Sequence, residues 1–108
     1  MIARTWHGMV PAARGNDYQA YLERTGLPDL RATPGNEGVW LLRRTEGGRT
    51  HFWVISLWDS LSSIRAFAGD DVEQARYYPE DEAFLLELEP RVTHYDVVAG
   101  PAPAELKR

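Results

Sequence analysis

The sequence contains no cysteine among its 108 residues. This absence excludes disulfide bonds, iron–sulfur clusters, thiolate zinc sites and a cysteine nucleophile. The chain also lacks an excess of positive charge, since its formal net charge at pH 7 is −4. Proteins that bind nucleic acids use clustered lysine and arginine side chains to neutralise phosphates, so we expect no nucleic-acid partner.

Long apolar runs are also missing. The first ten residues lack the apolar stretch of a signal peptide, and no run approaches the length that crosses a membrane. We therefore expect a cytoplasmic protein with no membrane partner. The length suggests one domain over residues 1–99, and the proline-rich residues 100–108 are predicted to form a flexible tail.

Hydrophobic patterns predict four strands, at residues 2–10, 39–44, 50–58 and 91–100. The first main helix is expected to be capped by Asn16 and to end by Gly26, and the second is expected to begin at Asp59 or Ser60 and to be stopped by Gly69. Residues 27–38 are expected to form a long connection, and residues 70–78 a further helical piece. The order β-α-β-β-α-β predicts an α+β, ferredoxin-like fold with a four-stranded antiparallel sheet.

The third predicted strand carries bulky apolar side chains on both of its faces. One face has Phe52, Val54 and Trp58, and the other has Trp53, Ile55 and Leu57. In a ferredoxin-like plan the two helices cover only one face of the sheet. Leaving several large side chains in water would lower the folding stability by roughly 1.5–3 kcal/mol for each side chain. We therefore predict a homodimer in which a second copy covers the open face.

The segments "SLWDSLSSIRAF" and "THYDVV" resemble the antibiotic biosynthesis monooxygenase domain, which belongs to the dimeric α+β barrel superfamily. The resemblance covers residues 2–98. It implies two sheets that meet in a barrel-like dimer, with a pocket in each subunit between the sheet and the helices. Family members include cofactor-free oxygenases that act on polycyclic phenols, and haem-degrading enzymes.

The haem-degrading branch of this family uses an asparagine, a tryptophan and a histidine. These positions correspond here to Trp6 or His7, to Phe67 and to Tyr77, so none of the three residue types is retained. Tyr77 could ligate haem iron only as a phenolate, and the unperturbed pKa of a phenol is near 10. Haem binding is therefore the weaker alternative, and no bound cofactor is expected.

The resemblance and the aromatic content together predict a flat apolar pocket for a small aromatic or polyketide-like molecule. The candidate substrate-binding residues are Trp6, Trp40, Phe67 and Tyr78. Core packing or a dimer interface would explain the same aromatic residues. A non-catalytic module that binds a small apolar ligand therefore remains an alternative to a monooxygenase.

Oxygenation without a cofactor requires a base that removes a phenolic proton. His94 and His7 are candidates because their unperturbed pKa is near 6.5, and Tyr77 could donate a hydrogen bond. Strand order could also bring His7, His51 and His94 to one end of the sheet. Three isolated histidines explain them better than a metal site, because no local spacing supports a ligand set. The acidic segment 79–90 is expected to form a solvated helix face.

Overall fold

The four strands form one antiparallel sheet in the order β2-β3-β1-β4. A computed structural model describes residues 1–100, so the predicted tail lies outside the described residues except for Gly100. The strands are β1 (Ile2–Pro11), β2 (Asn36–Glu46), β3 (Arg49–Trp58) and β4 (Thr93–Asp96). The central position of β1 and β3 confirms the ferredoxin-like topology expected from the sequence.

Helices cover one face of this sheet. They are α1 (Gly15–Arg24), α2 (Gly26–Ala32), α3 (Leu61–Ala68) and the single turn α4 (Asp81–Phe84). A short 3-10 turn over Ala12–Arg14 joins β1 to α1. Within residues 1–100, no helix is long and apolar enough to cross a membrane.

Side chains of the two central strands alternate between two environments, as the two-residue period of a strand requires. The even-numbered side chains of β1 and β3 lie under the helices, and most are fully buried, including Val10, Phe52 and Trp58. The odd-numbered ones, such as Trp53 and Ile55, lie on the opposite face and are half-buried. We call this second face the open face.

Two local predictions about the helices were wrong. Asn16 does not cap α1, because Gly15 is already the first residue of the helix and the Asn16 side chain accepts a hydrogen bond from Arg43 instead. The connection predicted at residues 27–38 contains α2, which buries Leu27 and Leu30 against the core. Pro28 is tolerated there because it lies in the first turn, where a backbone donor has no helical partner.

Residues 70–78 do not form the predicted helical piece. Their backbone pairs instead with the segment before β4: the Ala75 N–H donates to the Pro90 carbonyl, and the Val92 N–H donates to the Glu73 carbonyl. These long-range bonds replace the local ones that a helix would make. We call residues 70–80, which connect α3 to α4 across the helix-bearing face, the roof segment.

Candidate binding site between the sheet and the helices

A cavity of about 50 Å³ lies under the helices and the roof segment. Its walls come from β1, β3, the four helices and the roof segment. The lining residues are Arg4, Trp6, Tyr18, Leu22, Gly26, Leu27, Leu30, Val54, Phe67, Arg76, Tyr77, Tyr78 and Asp81. Sites for drug-sized ligands are usually about 300–1,000 Å³, so a ligand of that size fits only if the walls of this cavity move apart.

Aromatic rings form much of the wall of this cavity. Trp6 and Phe67 are 9% and 8% exposed. The rings of Trp6 and Tyr77 meet edge to face, with centroids 6.2 Å apart. Tyr78 completes the aromatic set from the roof segment. The structure therefore brings together four of the residues selected from the sequence as candidates.

The Trp6 side chain is directed into the cavity by close packing over Gly8. A Cβ atom placed on Gly8 would lie 2.4 Å from a ring carbon of Trp6 and 2.9 Å from the Leu85 side chain. Only glycine leaves this space free, because carbon atoms in contact lie about 3.5–4.0 Å apart. The glycine two residues after Trp6 therefore determines where the indole lies.

Hydrogen bonds link β1 to the roof through Tyr77. The Trp6 indole N–H donates to the Tyr77 hydroxyl over 3.2 Å, and that hydroxyl donates to the Glu89 carbonyl. Burial raises the pKa of Tyr77, so the phenol stays protonated at neutral pH. Tyr77 is thus suited to a hydrogen-bonding role as a neutral phenol.

A buried arginine lies in this otherwise apolar wall. Arg4 is 5% exposed, and its Nη2 donates to the Gln74 carbonyl over 2.9 Å. Its guanidinium also lies over the Phe67 ring, 5.4 Å from the centroid. Burial and the charge of Arg76 lower the pKa of Arg4 to about 10, so the side chain is still cationic at pH 7.

A buried carboxyl group also lines the cavity. Asp81 is 3% exposed; it accepts hydrogen bonds from the Tyr18 hydroxyl (2.8 Å) and the Tyr78 N–H (2.6 Å). Burial raises the pKa of Asp81, although both hydrogen bonds act in the opposite direction. The solvated helix face expected for segment 79–90 is therefore wrong at this position.

His94 lies beside Arg4 on the helix-bearing face, since the two residues are partners in the β1–β4 register. Its Nε2 is buried and has no hydrogen-bond partner among residues 1–100. Burial and the charge of Arg4 lower the pKa of His94, which keeps the imidazole neutral at pH 7. His94 is thus next to a lining residue but does not itself line the cavity.

The other candidates lie on the open face, away from the cavity. Trp40 projects from β2 there and is 56% exposed. His7 lies between Glu89, 2.6 Å from its Nδ1, and His51, 2.9 Å from its Nε2. His94 faces the opposite side of the sheet, so the three histidines do not converge. In the described part of the chain, no group of three potential ligands is placed to hold a metal.

Comparison with solved structures identifies the architecture. The haem-degrading protein MhuD from Mycobacterium tuberculosis, solved with two haems in its active site, is 20% identical over 94% of this chain and 100% of its own, with a TM-score of 0.63. A Bacillus cereus protein provisionally described as an antibiotic biosynthesis monooxygenase is 15% identical over 94% and 96% of the two chains, with a TM-score of 0.61. This chain shares the fold of these proteins, an α+β, ferredoxin-like fold with one four-stranded antiparallel sheet.

The same fold is found in a point mutant of MhuD with two manganese protoporphyrins per active site, at 18% identity and a TM-score of 0.63 over 94% of this chain and 99% of that one. No family model and no curated protein matches the sequence. At these identities the likeness shows the fold alone. Which ligand this chain binds must be argued from its own side chains.

Two residues of the site were missed by sequence analysis. Arg4 is an isolated charge at an even-numbered position of β1, where its neighbours Trp6 and Val10 face the core, and this alternation was a usable signal. Asp81 gave no signal, because acidic residues surround it in the sequence and only its burial and its hydrogen bonds from Tyr18 and Tyr78 distinguish it.

Proposed function

We propose that the protein is a small monooxygenase that needs no bound cofactor and acts on an aromatic or polyketide-like molecule in the cavity. The observation that carries the proposal is the cavity wall, in which aromatic rings lie beside one buried carboxyl group, Asp81. A planar ring system can pack against Trp6 and Phe67, while few polar groups orient it.

The proposed reaction begins with loss of a proton from an acidic C–H or O–H group of the substrate. Asp81 is the carboxyl group that lines the cavity, and its raised pKa makes it a stronger base than an ordinary aspartate. The resulting carbanion reacts with dioxygen to give a hydroperoxide, which then loses water. For an anthrone, CH₂ and O₂ become C=O and H₂O, so atoms and electrons balance without another reductant.

The three catalytic candidates from the sequence differ in where they lie relative to the cavity; they are His94, His7 and Tyr77. Tyr77 lines the cavity as a neutral hydrogen-bonding group. His94 lies beside Arg4 but does not line the cavity, and His7 is on the open face. Asp81 therefore replaces the histidines as the favoured base in this proposal.

Oxygen uptake tests the proposal directly. Purified protein and an anthrone in air-saturated buffer should consume one O₂ per quinone formed, and we expect Asp81→Asn to lower that rate about 100-fold or more. Asp70→Asn, which removes the same charge from an exposed residue, should leave the rate unchanged. Equal rates for wild type and Asp81→Asn would reject Asp81 as the base. Absence of uptake above the protein-free rate with anthrones and naphthols would reject the oxygenase.

Haem is the alternative suggested by the MhuD structures, but the residues here do not fit it. The Tyr77 hydroxyl is engaged with Trp6 and Glu89, and the raised pKa of Tyr77 opposes the phenolate that iron would need. Adding haemin to the protein should therefore produce no stoichiometric Soret shift. A saturable shift at one or two haemins per chain would favour the haem alternative.

We also propose that a second copy of the chain covers the open face. Large apolar side chains are exposed there on both edge strands and half-buried on the central ones: Trp40, Leu42, Trp53, Ile55, Leu57 and Tyr95. An apolar patch of this kind marks an interaction site more often than bare surface. Mass measured by light scattering at micromolar concentration tests this, since a monomer would contradict it.

A further inference from the structure

Arg4 is a charged group without a charged partner. Among residues 1–100, none of the ion pairs involves Arg4. Its Nε is buried and makes no hydrogen bond within that range. A buried charge is costly unless it is paired and hydrogen-bonded, and a guanidinium offers five N–H donors, which the Gln74 carbonyl satisfies only in part.

A second cation lies close to Arg4. The Arg76 guanidinium is 4.8 Å from the centroid of the Phe67 ring, which also contacts Arg4. Arg76 is half-exposed and lies 3.7 Å from Asp29 at the rim of the cavity. The two like charges repel each other, and this repulsion contributes to the lowered pKa of Arg4. An anion bound at this end of the cavity would be attracted to both groups.

We propose that Arg4, assisted by Arg76, binds a carboxylate group of an aromatic ligand in this cavity. A planar carboxylate matches the fork of a guanidinium, because its two oxygens accept parallel N–H bonds. The cavity of about 50 Å³ admits a group of a few atoms beside Arg4, and the aromatic part of the ligand fits only if the walls move apart. The proposal rests on the proposed function for the choice of cavity, and it narrows the substrate class to aromatic carboxylic acids.

The cationic Arg4 on β1 and the carboxyl group of Asp81 on α4 together give the ligand an orientation. Asp81 is a carboxyl group that would repel a ligand carboxylate, whereas the guanidinium groups of Arg4 and Arg76 would attract it. The carboxylate would therefore lie at the Arg4 end. The reacting carbon would lie toward Asp81, with the ring system between Trp6 and Phe67.

Calorimetric titration with 1-naphthoate and with 1-naphthol at pH 7 tests the subsite. We expect naphthoate to bind at least about tenfold more tightly than naphthol, since hydrogen bonds between charged groups are the stronger ones. Arg4→Met should abolish this preference while naphthol still binds. Arg65→Met, which removes an equal charge from an exposed residue of α3, should retain it.

Arg4→Lys keeps the charge but removes the fork and should weaken naphthoate binding severalfold; it also serves if Arg4→Met does not fold. Equal binding of the two ligands to wild type would overturn the inference. Unchanged naphthoate binding in Arg4→Met would also overturn it, and Arg4→Lys gives the same test if it is the only variant that folds. An equal loss of naphthoate binding in Arg65→Met would overturn it as well. If naphthoate is preferred and no oxygen is consumed with any substrate, the subsite stands and the monooxygenase proposal fails.

Discussion

The Trp6 indole N–H donates a hydrogen bond to the Tyr77 hydroxyl over 3.2 Å, and this bond joins the floor of the cavity to its roof. The same hydroxyl donates to the Glu89 carbonyl in the segment that leads to β4. Tyr77 therefore connects three parts of the chain that are far apart in sequence.

Replacement of Tyr77 by phenylalanine should destabilise the fold. It removes both hydrogen bonds and leaves the indole N–H unpaired, which costs about 1–3 kcal/mol in the free energy of unfolding. Urea denaturation followed by fluorescence measures the loss. Ser62→Ala, which removes an exposed hydroxyl from α3, should change the stability by less than about 0.5 kcal/mol. A similar loss in both variants would contradict the assigned role of Tyr77.

Gly8→Ala should move the Trp6 indole. The new Cβ would lie 2.4 Å from the ring, so the ring must shift, and overpacking of this kind costs about 1–3 kcal/mol. We expect a lower midpoint in urea together with weaker binding of naphthol. Gly100→Ala, where no heavy atom lies within 4 Å of the added carbon, is the matched control. A wild-type midpoint for Gly8→Ala would show that the indole is not held in this way.

Two leucines of similar exposure on opposite sides of the molecule test the proposed dimer. Leu42 on the open face is 46% exposed, and Leu61 on α3 is 43% exposed. Leu42→Glu should shift the particle toward the monomer, because two carboxylates would be buried in a symmetric interface. Leu61→Glu should leave the mass unchanged. Light scattering after size exclusion measures both, and equal behaviour of the two variants would count against the open face as the interface.

His94 should make folding stability depend on pH in the acid range. Its folded-state pKa lies below the ordinary value of 6.5, so the folded protein binds fewer protons here than the unfolded chain. This contribution to stability is therefore present above pH 6.5 and is lost as the pH falls through the folded pKa. His94→Gln should reduce the fall in melting temperature below pH 6.5. A wild-type pH profile in that variant would mean that another group is responsible.

The sequence was most informative where alternation or turn residues repeat along the chain. The even and odd positions of β3 predicted two apolar faces. In the structure, the even-numbered side chains lie under the helices and the odd-numbered ones form part of the open face. Local patterns misplaced α2 and the roof segment. The roof segment was misassigned because its backbone hydrogen bonds, such as the one from the Ala75 N–H to the Pro90 carbonyl, are made with residues distant in sequence.

The site was only partly predictable for the same reason. The aromatic residues Trp6, Phe67, Tyr77 and Tyr78 were selected by residue type and do meet at the cavity. Trp40 has the same chemistry but lies on β2 with the opposite orientation, which the imperfect alternation of that strand concealed. The bulge between Asn36 and Gly38 shifts the register of β2 and determines which of its side chains face outward.

The contact between Trp6 and Tyr77 also makes the cavity observable from outside. An incoming molecule that spreads the walls must separate the indole from the phenol, so the emission of Trp6 would change as the space fills. Loading of the cavity could then be followed by the protein's own fluorescence, without an attached label, even before a turnover assay exists.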